Sequence, residues 1–171
     1  MRTRIISALV GAPLIFAAVL WRGGPVPFPG WPFALLVLAM VLVGLHEYFA
    51  GCRAHGSDPQ DGLGYAGGIL FVLLATPLVP DNAERVLPFF LTVLVAAGLI
   101  FEVLKREHAP LKNLAPTWLG MLFIGWLFPF ALRLRLLQAA DVPGLRWNAP
   151  APWVADIGIG AWLVVFTVLL T

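Results

Sequence analysis

Charge is what this sequence has least of. Lys, Arg, Asp and Glu together make up 12% of the 171 residues, whereas 60% are hydrophobic and the mean hydropathy is +0.90. Disordered chains show the reverse balance, so disorder is excluded. Soluble domains are roughly half apolar and about a quarter charged, and a water-soluble globule could not hide this much apolar surface. The net charge is only +2, without the clustered cationic face that nucleic-acid binding requires. Cysteine occurs once, at Cys52, which rules out a disulfide within the chain and any Cys-x-x-Cys or Cys/His zinc spacing. Equally absent are a phosphate loop, a G-x-G-x-x-G turn, an H-E-x-x-H pair and a G-x-S-x-G elbow.

What the sequence has in abundance is long apolar runs. A helix needs about 20 mostly apolar residues to cross the hydrocarbon core, fewer where flanking groups snorkel or the bilayer thins. Residues 5–21, 31–50, 63–79, 86–104, 114–132 and 157–171 meet that description, the last cut short. They predict an all-α polytopic transmembrane bundle of about six spans, forming a single membrane domain over residues 1–171. The segments between them hold Gly, Pro and charge, which lipid cannot satisfy, and read as loops or interfacial turns. Met1 to Arg4 before an apolar run resembles the start of a secretory signal, but without a small-x-small cleavage site the run reads as an uncleaved first helix.

Pro13, Pro77, Pro88, Pro116 and Pro129 lie in or at the ends of the spans and predict kinks, which membrane helices tolerate. Gly64 and Gly68, with Gly67 beside them, form a G-x-x-x-G pair suited to close helix packing. Most of the seven tryptophans fall near span ends, at the level of the headgroups. Cationic residues divide six against five between the two sides: Arg2, Arg4, Arg53, Lys105, Arg106 and Lys112 against Arg22, Arg85, Arg133, Arg135 and Arg146. With the first helix dominating, this vote puts the amino terminus in the cytoplasm, and an even number of spans returns the carboxyl end there.

Ionisable groups inside a span are read as functional by default, and few here qualify. His46 and Glu47 sit near the end of the second span, on different helix faces and so unsuited to share a metal. Glu102, in the last turn of the fourth, is expected to reach water or headgroups. Asp58, Asp61 and His55 read as a solvated turn. Lys105, Arg106 and Lys112 form a basic loop that can meet anionic headgroups, and Arg133 with Arg135 ends the fifth span in a position to do the same; topology alone accounts for both groups equally well. No complete catalytic constellation is present and no metal ligand set is assigned.

The opening Met1-Arg2-Thr3-Arg4-Ile5-Ile6-Ser7-Ala8-Leu9-Val10, then Trp31-Pro32-Phe33 leading to His46-Glu47-Tyr48-Phe49, resembles the amino-terminal half of bacterial phosphatidate cytidylyltransferases. Pro143-Gly144-Leu145 and the later Trp162-Leu163-Val164-Val165-Phe166 are similar in order. The resemblance implies an enzyme of phospholipid biosynthesis that transfers the cytidylyl group of CTP to phosphatidic acid, releasing pyrophosphate and forming CDP-diacylglycerol. It also implies a magnesium ion in the full-length enzyme, held by carboxylates that neutralise phosphate charge.

Those groups lie, in such enzymes, in an aspartate-containing run ending in A-Y, an S-P-K-K-T-x-E-G stretch and a final H-G-G-x-x-D-R-x-D motif. None occurs in this sequence. The expectation is therefore an amino-terminal membrane region, a fragment or half of a split enzyme, inactive alone and without a cofactor of its own. Its expected partners are membrane lipids, phosphatidic acid among them, and a missing carboxyl-terminal half or a second copy. Its expected home is the bacterial inner membrane. The alternative is a small non-enzymatic membrane protein, accessory or transport-related.

Overall fold

The computed structural model describes residues 13, 15–21, 28, 30–79, 83–105, 110–137 and 159–170. Among them all regular structure is helical: α1 (Trp31–Ala54), α2 (Asp61–Leu74), α3 (Ala83–Lys105), α4 (Pro110–Gly120), a π-helical turn (Met121–Trp126), α5 (Pro129–Leu136) and α6 (Ile159–Leu170). Residues 15–20 are helical as well. Among the described residues, three stretches are long and apolar enough to cross a membrane: Trp31–Ala54, Arg85–Lys105 and Leu111–Leu136. Only 11% of the most apolar window of Arg85–Lys105 is buried, and Phe89, Val93, Leu99, Ile100, Val103 and Leu104 all stand exposed. Apolar surface on that scale is untenable in water and at home in lipid, so this is an integral membrane protein.

The chain packs as two compact units, one of Val37–Phe130 and one of Met1–Leu36 with Ala131–Thr171. In the first, α1 ends where Gly56 takes a positive φ of 78°, open to glycine at no steric cost. The amide of Ser57 then reaches the Cys52 carbonyl at 3.1 Å and that of Gly56 the Arg53 carbonyl at 2.9 Å, the paired bonds of a Schellman cap. The cap turns the chain into the loop that leads to α2.

Helix α2 is shorter than hydropathy suggests, ending at Leu74 although the apolar run continues to Val79. Pro77 disfavours helical backbone at Thr76, whose hydroxyl donates to the Leu73 carbonyl at 2.7 Å and closes the turn. The buried face of α2 carries Gly64, Gly67, Gly68, Phe71 and Val72. A β-carbon on Gly68 would stand 2.8 Å from Leu45, and one on Gly125 would stand 3.1 Å from the Gly68 backbone. Gly68 and Gly125 thus let the backbones of α2 and the π-helical turn approach, whereas Gly64 faces the Phe49 ring of α1.

The fifth predicted span, 114–132, is not one regular helix but α4, the π-helical turn and α5 in succession. Pro116 and Pro129 supply no backbone donor, and a π turn admits the extra residue that such an interruption needs. Phe71 stacks on Trp126 of that turn with ring centroids 6.2 Å apart.

In the second unit, α5 ends as the Leu137 amide donates to the Leu134 carbonyl at 3.2 Å. The Gly160 amide donates to the Leu137 carbonyl at 3.1 Å. Ile159, Ala161, Val164 and Val165 bury one side of α6, and Val19 and Leu132 are almost wholly enclosed. The expected first span, 5–21, is described only at residue 13 and residues 15–21, and most of it lies outside the described residues.

Candidate functional site

At one end of the Val37–Phe130 unit, three helices bring polar side chains together. Gln60 precedes α2, Glu102 lies one turn before the end of α3, and Asn113 and Thr117 share a face of α4 at helical spacing. All four are buried, Glu102 to 2% exposure and Thr117 completely. Gln60 Nε2 donates to Glu102 Oε2 at 2.7 Å and to the Gly98 carbonyl at 3.1 Å, while Asn113 Nδ2 donates to Glu102 Oε1 at 3.1 Å. The Gln60 backbone amide donates to Thr117 Oγ1 at 2.8 Å, and the Thr117 hydroxyl donates to the Asn113 backbone carbonyl at 2.9 Å. Asn113 Oδ1 in turn accepts the Asp58 amide at 2.8 Å.

Glu102 is the centre of this arrangement and the main departure from expectation. It does not reach water. Both of its oxygens are occupied by side-chain amides in a buried setting, where an unpartnered carboxyl group would be costly. Two acceptors of the cluster remain unmet: Gln60 Oε1 and Asp61 Oδ1 are buried without a partner. Both residues line a cavity of about 490 Å³, together with Pro59, Gly62, Leu63, Ala66, Phe101 and Lys105.

Charged groups ring the same end. Arg53 pairs with Asp61, Lys105 Nζ lies 3.0 Å from Asp58 Oδ2, and His55 Nδ1 donates to the Gly51 carbonyl at 2.8 Å. Asp58, Asp61 and His55, expected to form a solvated turn, keep that character except where Asp61 turns an oxygen inward.

Of the five cations expected to meet headgroups, Lys105 and Lys112 come to this loop. Lys105 holds Asp58, and Lys112 Nζ lies 3.5 Å from where a β-carbon on Gly56 would sit. Arg106 lies outside the described residues. Arg133 and Arg135 belong to the other unit, where Arg133 is exposed and Arg135 is buried to 7% exposure. The Arg135 guanidinium donates to the Val19 carbonyl at 2.6 Å and to the Trp21 carbonyl at 3.4 Å, closing a helix end from inside the protein. Elsewhere, His46 Nδ1 meets the Tyr65 hydroxyl at 3.2 Å, and Glu47 is exposed.

The cytidylyltransferase family profile matches this sequence over residues 2–171. The chain belongs to the cytidylyltransferase family. A curated relative, the phosphatidate cytidylyltransferase of Synechocystis sp. (strain ATCC 27184 / PCC 6803 / Kazusa), is 28% identical over 190 aligned positions, which cover 94% of this chain and 60% of the relative. The chain therefore spans somewhat under two thirds of the length of the relative it matches. No solved structure matches it.

Among the described residues, no three of His, Cys, Asp and Glu converge as a metal site. Glu102, the buried carboxyl group, is already taken up by Gln60 and Asn113. A magnesium ion of the kind the family resemblance implies does not fit these residues, and the chemistry that needs it is not assigned to them. Gln60, Asn113 and Thr117 escaped the sequence reading. The second and fourth loops fall on the same side of the membrane, and that parity is the signal that could have joined them.

Proposed function

We propose that this chain is the amino-terminal membrane region of a phosphatidate cytidylyltransferase of the bacterial inner membrane. The complete enzyme transfers the cytidylyl group of CTP to phosphatidic acid, giving CDP-diacylglycerol and pyrophosphate. The observation that carries the reading is the family match across residues 2–171, in a chain whose helices expose apolar faces to lipid. Residues 1–171 contribute the scaffold and a lipid-side wall, with the amino terminus in the cytoplasm. The nucleotide and its magnesium ion are handled by the family motifs that this sequence lacks.

Within that scaffold the Glu102 cluster fixes α2, α3 and α4 against one another at the membrane surface. A buried, hydrogen-bonded polar network allows fewer alternative helix registers than an apolar contact. Membranes containing residues 1–171 as their sole cytidylyltransferase, supplied with labelled CTP, phosphatidic acid and magnesium, are expected to form no CDP-diacylglycerol. Clear turnover would overturn the assignment of the chemistry to residues outside this set.

A further inference from the structure

Glu47 stands exposed on α1 and, among the described residues, makes neither a hydrogen bond nor an ion pair, although its helix is long and apolar enough to cross the membrane. The other polar groups nearby are answered: His46 Nδ1 meets the Tyr65 hydroxyl at 3.2 Å, and Arg53 pairs with Asp61. The helix is 24 residues long, and about 20 residues cross the hydrocarbon core. Every window of about that length within Trp31–Ala54 contains Glu47, so its backbone lies inside the core wherever the helix sits along the membrane normal. Snorkelling gives little relief. Helix side chains lean toward the amino terminus, which at Glu47 is away from the nearer membrane surface at the Arg53 end. An ionisable group so placed is costly until a polar partner meets it.

The face around Glu47 admits such a partner. Met40, Val43, Glu47, Ala50 and Ala54 recur at alternating spacings of three and four and are all exposed, so they form one stripe. Beside the carboxyl group the stripe is low: Ala50, Gly51 and Ala54 are small, and a β-carbon on Gly51 would meet nothing within 4 Å. A second helix can lie close here, pack on Met40 and Val43, and bring a donor to Glu47. Charge selects the occupant. A second copy of this chain, joined by a two-fold axis at Glu47, would set carboxylate against carboxylate, whereas a basic side chain neutralises it. The relative continues well beyond the part that this chain covers, which leaves room for such a helix outside residues 1–171.

We propose that this face of α1 docks a transmembrane helix of the carboxyl-terminal region, whose Lys or Arg side chain pairs with Glu47. The proposal rests on the reading of residues 1–171 as the amino-terminal part of a larger enzyme. Glu47 is then a positioning residue that joins the two parts, and the reaction itself does not use it.

The test uses a chimera in which residues 1–171 replace the aligned segment of the Synechocystis enzyme, with a protease site after Thr171 and the photo-crosslinking residue p-benzoylphenylalanine in place of Val43 or Ala50. After irradiation in membranes and cleavage, the two parts are expected to stay covalently joined on a denaturing gel. Glu47→Leu is expected to lower the melting temperature of the detergent-solubilised chimera by about 2 °C or more, and to leave that of residues 1–171 alone unchanged or higher, because the isolated chain loses no bond. A chimera that forms CDP-diacylglycerol but whose parts separate after cleavage would overturn the docking surface and leave the enzyme reading standing. A folded chimera that forms no product would overturn both. Cross-links only to lipid or to a second copy, or an equal fall in melting temperature in the isolated chain, would also overturn the proposal.

Discussion

Replacing Glu102 by glutamine changes almost no volume and isolates the hydrogen-bond logic of the cluster. Two donors, Gln60 Nε2 and Asn113 Nδ2, point at the two oxygens of Glu102. A glutamine presents one acceptor and one donor, so one neighbour must face an N–H. Flipping Gln60 deprives the Gly98 carbonyl of its donor, and flipping Asn113 turns its NH₂ toward the Asp58 amide. Every arrangement leaves a buried group unpaired, at a cost of about 1–3 kcal/mol. Taking about 2 kcal/mol, the melting temperature of the detergent-solubilised chain should fall by about 4–8 °C. The double variant Glu102→Leu with Gln60→Met removes both ends of the Gln60–Glu102 bond, so that bond is lost once in the double variant but counted in each single one, while Asn113 Nδ2 loses its acceptor wherever Glu102 is replaced. The double variant should therefore lose less than the two single variants added together, with a coupling of about 0.5–3 kcal/mol. Additive losses, or an unchanged melting temperature in E102Q, would refute the account of Glu102 as a group held between two amide donors.

Two further outcomes follow from packing and capping. Gly125→Ala should destabilise the chain by about 1–3 kcal/mol, because its β-carbon meets the Gly68 backbone at 3.1 Å, whereas Gly51→Ala, with nothing within 4 Å, should be neutral or stabilising by up to about 1 kcal/mol; thermal melts of both in one detergent decide this. Arg135→Met should lower stability by about 1–3 kcal/mol by orphaning the Val19 carbonyl; an unchanged thermal melt would contradict the buried capping role of Arg135.

Apolar runs made much of the helical layout legible. The stretches read as 31–50 and 86–104 correspond to α1 and α3, and 157–171 contains α6, because hydropathy reports directly on which residues lipid accepts. Boundaries drifted where local backbone chemistry overruled hydropathy, as at Thr76 and Pro77 beyond α2. The π-helical turn was illegible because its sequence, Met121–Trp126, is as apolar as its surroundings. Its register answers to the glycine face of α2 rather than to composition. The polar cluster was hidden for a related reason. Gln60, Glu102 and Asn113 each stand at the end of a helix, where a polar residue is unremarkable, and only tertiary packing turns three such ends into one buried site. Arg135 illustrates the same limit: near Arg133 in sequence, it points to backbone carbonyls that no local pattern announces.

The most direct test of the account is a chimera in which residues 1–171 replace the aligned segment of the Synechocystis phosphatidate cytidylyltransferase, assayed in membranes with labelled CTP, phosphatidic acid and magnesium. The account predicts formation of CDP-diacylglycerol by the chimera and none by residues 1–171 alone. A chimera that inserts and remains folded yet forms no product would contradict the claim that this region is the membrane scaffold of such an enzyme.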